Sequence, residues 1–299
     1  MLRVLLRGAL NVSEMSKILG LSQSNVSHNL RKLLDAGLVI RRGRGSWAYY
    51  DVNRRDPVTV MLAEVISRGV KQIENYDADM CELRRCYDQR RREAREFFDR
   101  MAEEIEGVSH LMPDPEDYIH EVMERFDKEG TVLDAGCGNG VNTLRLLEKG
   151  FRVIGVDQSQ EMLSKARKRI ASVWASGDVE LRLGNAEHLP LADNSVDGVL
   201  AHMLLHHLGD PPEFFVEAAR VCRRGGRCSV VELHPHDDFE LKRVQGDLWP
   251  GLEKEDVKSW MEAAGFDEIE DIEAGGSCSG RVFILTGILG GSEKWKTSK

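Results

Sequence analysis

The sequence is sparing with residues that define special chemical environments. Cysteine occurs six times in 299 residues, at 81, 86, 137, 222, 228 and 278. That is too thin for a disulfide framework, so free thiols in a reducing cytoplasm are the expectation. No apolar run approaches the roughly 18 residues that a membrane-spanning helix requires. The opening stretch MLRVLLRGALNVSEMSK is basic and apolar, but it lacks a long hydrophobic region and a small-residue cleavage site, which argues against export. Hydrophobic content of 41% and charged content of 30% are those of an ordinary folded protein. The length accommodates two cores.

Acidic and basic residues are unevenly shared. The formal net charge is −9, yet residues 1–55 hold ten Lys and Arg against three acids, a surplus of +7 that leaves −16 for the other 244 residues. A basic head on an acidic body suits a polyanion-binding module joined to a domain with a different task.

The head divides at its glycines. Asn11 followed by Glu14 forms the pattern of a capping box and opens a short helix running to Leu19, which Gly20 breaks. Ser22 caps a second helix whose apolar positions Val26, Leu30, Leu33 and Leu34 share one face, and Gly37 ends it. Two helices joined this way make a helix-turn-helix. The opposite face carries Gln23, Ser24, Asn25, Ser27, His28, Arg31 and Lys32, short polar and basic side chains suited to base edges and flanking phosphates. The stretch LVIRRGRGSWAYYDV then reads as a β-hairpin, with Arg42 and Arg44 among the arginines at its tip, a wing that can follow a phosphate backbone.

Residues 1–70, above all LGLSQSNVSHNLRKLLDAGLV and SWAYYDV, resemble the winged helix-turn-helix of ArsR/SmtB-type bacterial regulators. The resemblance implies a palindromic double-stranded DNA operator and a homodimer. It also makes MLRVLLRGAL resemble a helix whose upstream partner is missing or shortened. Metal-sensing members carry paired cysteines at the start of the first helix. Asn11-Val12-Ser13 stand there in this chain, so no thiolate metal site is expected at that position.

Residues 56–110 form a connecting segment. PVTVMLAEVISRGVKQI is apolar at helical spacing, and by resemblance helices there pair two protomers. The following CELRRCYDQRRREAREFFDRMAEEIE has many i,i+4 opposite charges and a stripe of Leu83, Tyr87, Ala94, Phe97, Phe98, Met101 and Ile105. It suits a dimerisation or lever helix, or simply a long solvated one. Cys81 and Cys86 are five apart and do not share a helix face, which leaves them an incidental role.

Residues 111–299 alternate strands, expected at 131–135, 152–157, 179–183, 196–201, 227–233, 268–273 and 281–288, with helices. This is an α/β pattern, a doubly wound and mainly parallel sheet whose ligand site lies at the carboxyl ends of its strands. There VLDAGCGNG ends a strand with Asp134 and turns through Gly136, Cys137, Gly138, Asn139 and Gly140 into a helix. The next strand ends in Asp157, an acid that can accept both hydroxyls of a ribose. The G-x-G-x-G order differs from the dinucleotide pattern.

DAGCGNG, GVDQSQEML, GNAEHLPLADNSVDGVLAHMLLHHL and RRGGRCSVVE resemble the Rossmann-like class I S-adenosylmethionine-dependent methyltransferases over roughly residues 114–299. The resemblance implies a seven-stranded sheet with its last strand antiparallel, and S-adenosylmethionine or S-adenosylhomocysteine as ligand. It puts Asp134 and Gly136–Gly140 at the methionine end and Asp157, Gln158 and Met162 around ribose and adenine. Asn185, Ala186 and Glu187 fall at the adenine edge, and Ala201 with His202 close the pocket. Asn185 stands where the family usually has Asp.

No catalytic residue and no metal site can be named from the pattern. His202, His206, His207, His234 and His236 are candidates to face an acceptor. No cysteine set suggests arsenite methylation, and no Asn-Pro-Pro-Tyr signature suggests methylation of a nucleic-acid base. Two functions stay open: a DNA-binding regulator whose effector is an adenosyl ligand, and a methyltransferase with an autoregulatory DNA-binding head. Such fusions resemble regulators of methionine-cycle genes.

Overall fold

The structure, a computed structural model, describes residues 1–42, 48–54, 56–69, 75–103, 114–127, 130–171, 177–236, 251–274, 278 and 280–290. They fall into two compact units, Met1–Arg90 and Arg91–Lys299.

The first unit holds α1 (Leu2–Leu5), β1 (Leu10–Asn11), α2 (Val12–Leu19), α3 (Gln23–Asp35), β2 (Val39–Arg42), β3 (Tyr49–Val52) and α4 (Pro57–Gly69). The expected capping box is present: the Glu14 amide donates to Asn11 Oδ1 at 2.9 Å, and the Asn11 amide donates to Glu14 Oε2 at 2.8 Å. Gly20 caps α2 in the left-handed conformation, φ 62°. Ser22 Oγ accepts the Asn25 amide at the start of α3. Val26 and Leu30 of α3 are sealed against Met15, Ile18, Val39 and Val52, which is why the apolar stripe folds inward.

The first ten residues depart from the expected helix. Only Leu2–Leu5 are helical, while Leu10 pairs with Tyr50 as β1, the edge of a three-stranded sheet ordered β1-β3-β2. Gly8, at φ 151°, is outside helical backbone, and a Cβ there would stand 2.6 Å from the Tyr87 hydroxyl. The wing strands pair antiparallel from Val39↔Val52 to Arg42↔Tyr49. Arg44 and the rest of 43–47 lie outside the described residues.

Helix α5 spans Tyr76–Met101, and the division between the units falls inside it. Leu83 and Tyr87 join the first unit's core. Arg90 is buried there, donating to Glu14 through Nε at 2.8 Å and Nη2 at 2.7 Å, and to the Ala9 carbonyl at 3.1 Å. Its guanidinium also lies over the Tyr49 and Tyr87 rings.

The second unit contains α6 (Ile119–Met123), β4 (Thr131–Ala135), α7 (Val141–Glu148), β5 (Arg152–Asp157), α8 (Gln160–Arg169) and β6 (Val179–Leu183). These are followed by β7 (Val196–His202), α9 (Pro211–Val221), β8 (Cys222–Leu233), α10 (Lys254–Ala263), β9 (Phe266–Ile272) and β10 (Val282–Leu289). All seven expected strands form, in one sheet ordered β6-β5-β4-β7-β8-β10-β9. The pairs from β6 through β8 are parallel, and β10 runs against both of its neighbours. Strand β8 begins five residues earlier than expected, at Cys222. Buried Val132, Leu133, Val199, Leu200, Val230 and Val231 account for the nearly unbroken apolar runs, because helices cover both faces. Chain order reverses between β4 and β7, so the crevice lies beyond their carboxyl ends.

Glu14 both completes the cap and neutralises Arg90. Glu14→Ala therefore removes both the cap and the carboxylate that faces buried Arg90, and should cost about 3–5 kcal/mol in a urea melt of the first unit's signal. A loss under about 1 kcal/mol, the worth of the cap alone, would show that Arg90 finds another partner.

Candidate functional site

In the first unit Gln23, Ser24, Asn25, Ser27, His28, Arg31 and Lys32 are all exposed, along the side of α3 away from the core. Asn25 is partly engaged locally, its Oδ1 accepting from Asn29 at 2.6 Å. Arg42 is not projected freely from the wing, for it pairs with buried Asp51 at 3.6 Å. Asp51 lies on the face of β3 opposite to the core residue Val52 and is buried there as well, so part of the wing's charge is taken up within the fold.

In the second unit the turn after β4 is built as its glycines require. Gly136, Gly138 and Gly140 have φ of 68°, 53° and 80°. At Gly140 a Cβ would come within 2.9 Å of the Ala166 backbone, so glycine lets α7 and α8 approach. At Gly138 the direction of a missing Cβ is open for 4 Å. Cys137 turns its side chain toward Gly155 of β5, so it contributes backbone rather than sulfur to the turn.

Two carboxyl groups flank this turn. Asp134 is sealed beneath it and accepts the Thr143 hydroxyl at 2.6 Å. Burial pushes its pKa up to about 7, with Asp157 adding repulsion and Thr143 opposing. Asp157 ends β5 and accepts two backbone amides, Gly138 through Oδ2 and Ser159 through Oδ1, each at 2.8 Å. Burial raises it to about 6 against those bonds. It keeps accessible surface, as does Gln158. A half-buried carboxylate with fixed amides and an open space beside it is the right acceptor for a pair of vicinal hydroxyls.

The other expected residues divide. Met162 is buried, with its amide on the α8 cap Ser159 Oγ. Asn185 Oδ1 accepts the Glu187 amide at 2.8 Å and shapes the loop after β6, where Ala186 is also buried. Glu187 is fully buried, and its carboxylate takes the Asp210 amide at 2.5 Å and Arg91 at 3.1 Å. It braces the loop from inside. Ala201 is sealed in the sheet between Ala135 and Val230. That leaves His202 to face the crevice.

His202 brings in a partner that sequence reasoning missed. The Tyr118 hydroxyl lies 2.8 Å from His202 Nε2, and the rings stack at 5.8 Å. Burial pushes His202 down to about 4 and Tyr118 up, so the imidazole and the phenol are both neutral at pH 7 and share one hydrogen bond whose direction follows the imidazole tautomer. Nothing local marked Tyr118, which stands 84 positions away. Beneath the loop after β7, buried Glu232 accepts the Leu204 and Leu205 amides at 2.8 and 2.5 Å, and it meets His206 Nδ1 at 2.6 Å. His206 thereby holds the loop's shape. Residues 237–250 lie outside the described residues.

Comparison with known proteins adds two family matches. A model described as bacterial regulatory protein, arsR family, matches residues 1–41, and one described as methyltransferase domain matches residues 133–230. Among relatives, an arsenite methyltransferase from Halobacterium salinarum is 37% identical over 149 residues, 47% of this chain and 38% of that protein. The chain thus spans well under two thirds of that relative. Phosphoethanolamine N-methyltransferase 2 from Haemonchus contortus, solved with phosphomonomethylethanolamine and S-adenosylhomocysteine, superposes at TM-score 0.53. It is 18% identical over 66% of this chain and 60% of its own. The methyltransferase solved with the Trm112 activator of Haloferax volcanii gives 0.52 at 20% identity, over 64% and 96%. At these identities the structural matches establish the fold of the second unit.

A carboxyl raised by burial makes the folded state hold its proton more tightly than the unfolded chain, so its penalty is relieved as pH falls through the folded value. Wild type should therefore gain stability relative to Asp134→Asn as pH drops from 8 to 6, by up to about 1.4 kcal/mol per pH unit. Parallel pH profiles in a denaturant series would contradict the raised pKa.

Proposed function

In a chain that joins an ArsR-type regulatory helix-turn-helix to a methyltransferase domain, we propose a DNA-binding transcription regulator whose effector is S-adenosylmethionine or S-adenosylhomocysteine. The observation that carries the ligand reading is Asp157, offered at the end of β5 beside the open space at Gly138. Asp157 takes the ribose hydroxyls, with Gln158 and Met162 toward the adenine and Asn185 and Ala186 along its edge. The turn Gly136–Gly140 and the first amides of α7 face the methionine end.

The DNA reading rests on the exposed polar face of α3, with His28 and Arg31 toward base edges and Lys32 toward phosphates; Arg44 is proposed to join it from the wing, and Arg42 does so only by leaving Asp51. Helix α4 exposes Val58, Met61 and Val65 along one face, an apolar row that suits pairing with a second copy. A homodimer presents two α3 helices to a palindrome whose half-sites are about one helical turn apart. Methionine-cycle genes in the cytoplasm are the fitting targets, since both adenosyl ligands report on that cycle.

A second reading, a methyltransferase of a small acceptor, is favoured by one feature, the Tyr118–His202 pair at the crevice end of β7. Transfer from a sulfonium is an in-line displacement in which positioning supplies most of the acceleration. A neutral His202 can orient an acceptor through Tyr118. Three of the six cysteines are poorly suited to arsenite, the substrate named for the Halobacterium relative. Burial raises the thiols of Cys137, Cys222 and Cys228, which disfavours the thiolates that would bind it.

The regulator reading predicts that S-adenosylhomocysteine shifts affinity for a short palindromic duplex at least about fivefold in fluorescence polarisation. An unmoved binding curve at saturating ligand refutes it. Arg31→Ala or His28→Ala should weaken DNA binding and leave ligand affinity as it was. Asp157→Ala should do the reverse, and equal ligand affinity in that variant would mean the ribose sits elsewhere.

A further inference from the structure

Within the second unit, the last turns of α5 touch three separate loops at the crevice. Ser159 Oγ, which caps α8 two residues after Asp157, donates to Asp99 Oδ1 at 2.5 Å. Arg91 meets Glu187 in the loop after β6 at 3.1 Å. The Phe98 ring packs edge-on to His207, after β7, at 4.7 Å between centroids. Arg91, Ala94, Phe98, Asp99 and Ala102 are spaced to share one face, and Ala94 and Ala102 are buried along it. Helix α5 thus binds the loops after β5 and β6, which carry the expected ribose and adenine contacts, and the loop after β7, which follows the residues expected to close the pocket.

The chemistry of these contacts makes them sensitive to what fills the crevice. Asp99 carries its charge close enough to Asp157 to help raise that carboxyl's pKa. Hydroxyls donated to Asp157 would draw on the same oxygens that now hold Gly138 and Ser159. Ser159 links the two acids, with its amide on Asp157 and its hydroxyl on Asp99. A change at the ribose position therefore reaches α5 through one residue. Glu187 does the same at the adenine edge, since its carboxylate divides between Asp210 and Arg91. The helix continues without interruption to Tyr76, and its earlier turns carry Arg90 and Tyr87, which are fixed in the first unit.

We infer that residues Arg91–Met101 are a ligand-reporting strap: Asp99, Arg91 and Phe98 hold α5 to the three binding loops, and occupancy of the adenosyl site redistributes those contacts and is passed along the helix. The inference rests on the regulator reading and specifies its coupling element. It assigns Asp99 a positioning role rather than a ligand contact.

The test uses the full chain and S-adenosylhomocysteine, with binding followed by calorimetry. Hydrogen exchange of the amides in 91–101 should change about threefold or more when ligand binds. Unchanged exchange there, with binding confirmed, overturns the strap and leaves the regulator reading standing. Asp99→Ala should keep ligand and DNA affinities within about threefold of wild type, while the ligand-induced shift in DNA affinity falls from about fivefold or more to under about twofold. A variant that couples as strongly as wild type overturns the strap, as does one that no longer binds ligand, which would make Asp99 a direct contact. A wild-type chain with no DNA shift overturns the regulator reading, whatever the exchange data show.

Discussion

Everything proposed for the second unit depends on a half-buried carboxylate held at a strand end. Asp157 is costly to charge there, and the fold offsets the cost with two amides aimed at its oxygens. That arrangement works only because the turn after β4 brings the Gly138 amide across and Ser159 begins α8 immediately after β5. The site is a property of two strand ends and the turns that follow them. This is why such a sheet binds ligands at its carboxyl edge.

The same economy shapes the neighbouring loops. Glu187 and Glu232 are both fully buried acids, and both accept backbone amides of loops that border the crevice. Each acid fixes loop backbone that would otherwise be free to move, at the expense of the acid's own availability to a ligand. In the first unit Arg90 plays the corresponding part with reversed sign, a buried cation satisfied by Glu14, a carbonyl and two aromatic rings. Polar groups of this kind specify one arrangement because leaving any of them unpaired is expensive.

What was legible in the sequence is what local chemistry decides. The box of Asn11 and Glu14, the Ser22 cap, the Gly20 stop, the glycine turn and all seven strands of the sheet could be read from neighbouring residues. The positions of Asp134 and Asp157 followed from the strand ends. The pairs that complete the sites could not be read, because their members are far apart: Tyr118 with His202, Asp99 with Ser159, Arg90 with Glu14. Leu10 was misjudged for the same reason, since its apolar neighbours suggested a helix while pairing with Tyr50 drew it into a strand. Glu187 stands at the expected adenine edge, and its burial depends on Asp210 and Arg91, which no local pattern announces.

The central claim is that one chain links an adenosyl ligand to DNA, and linkage is reciprocal: if ligand changes DNA affinity, DNA must change ligand affinity by the same factor. Calorimetric titration of S-adenosylhomocysteine and S-adenosylmethionine into the free protein, repeated with saturating operator duplex, measures this directly. The account predicts binding in both conditions, with dissociation constants for at least one ligand that differ about fivefold or more. Identical constants with and without DNA would contradict it, and absence of binding to either ligand would remove its foundation.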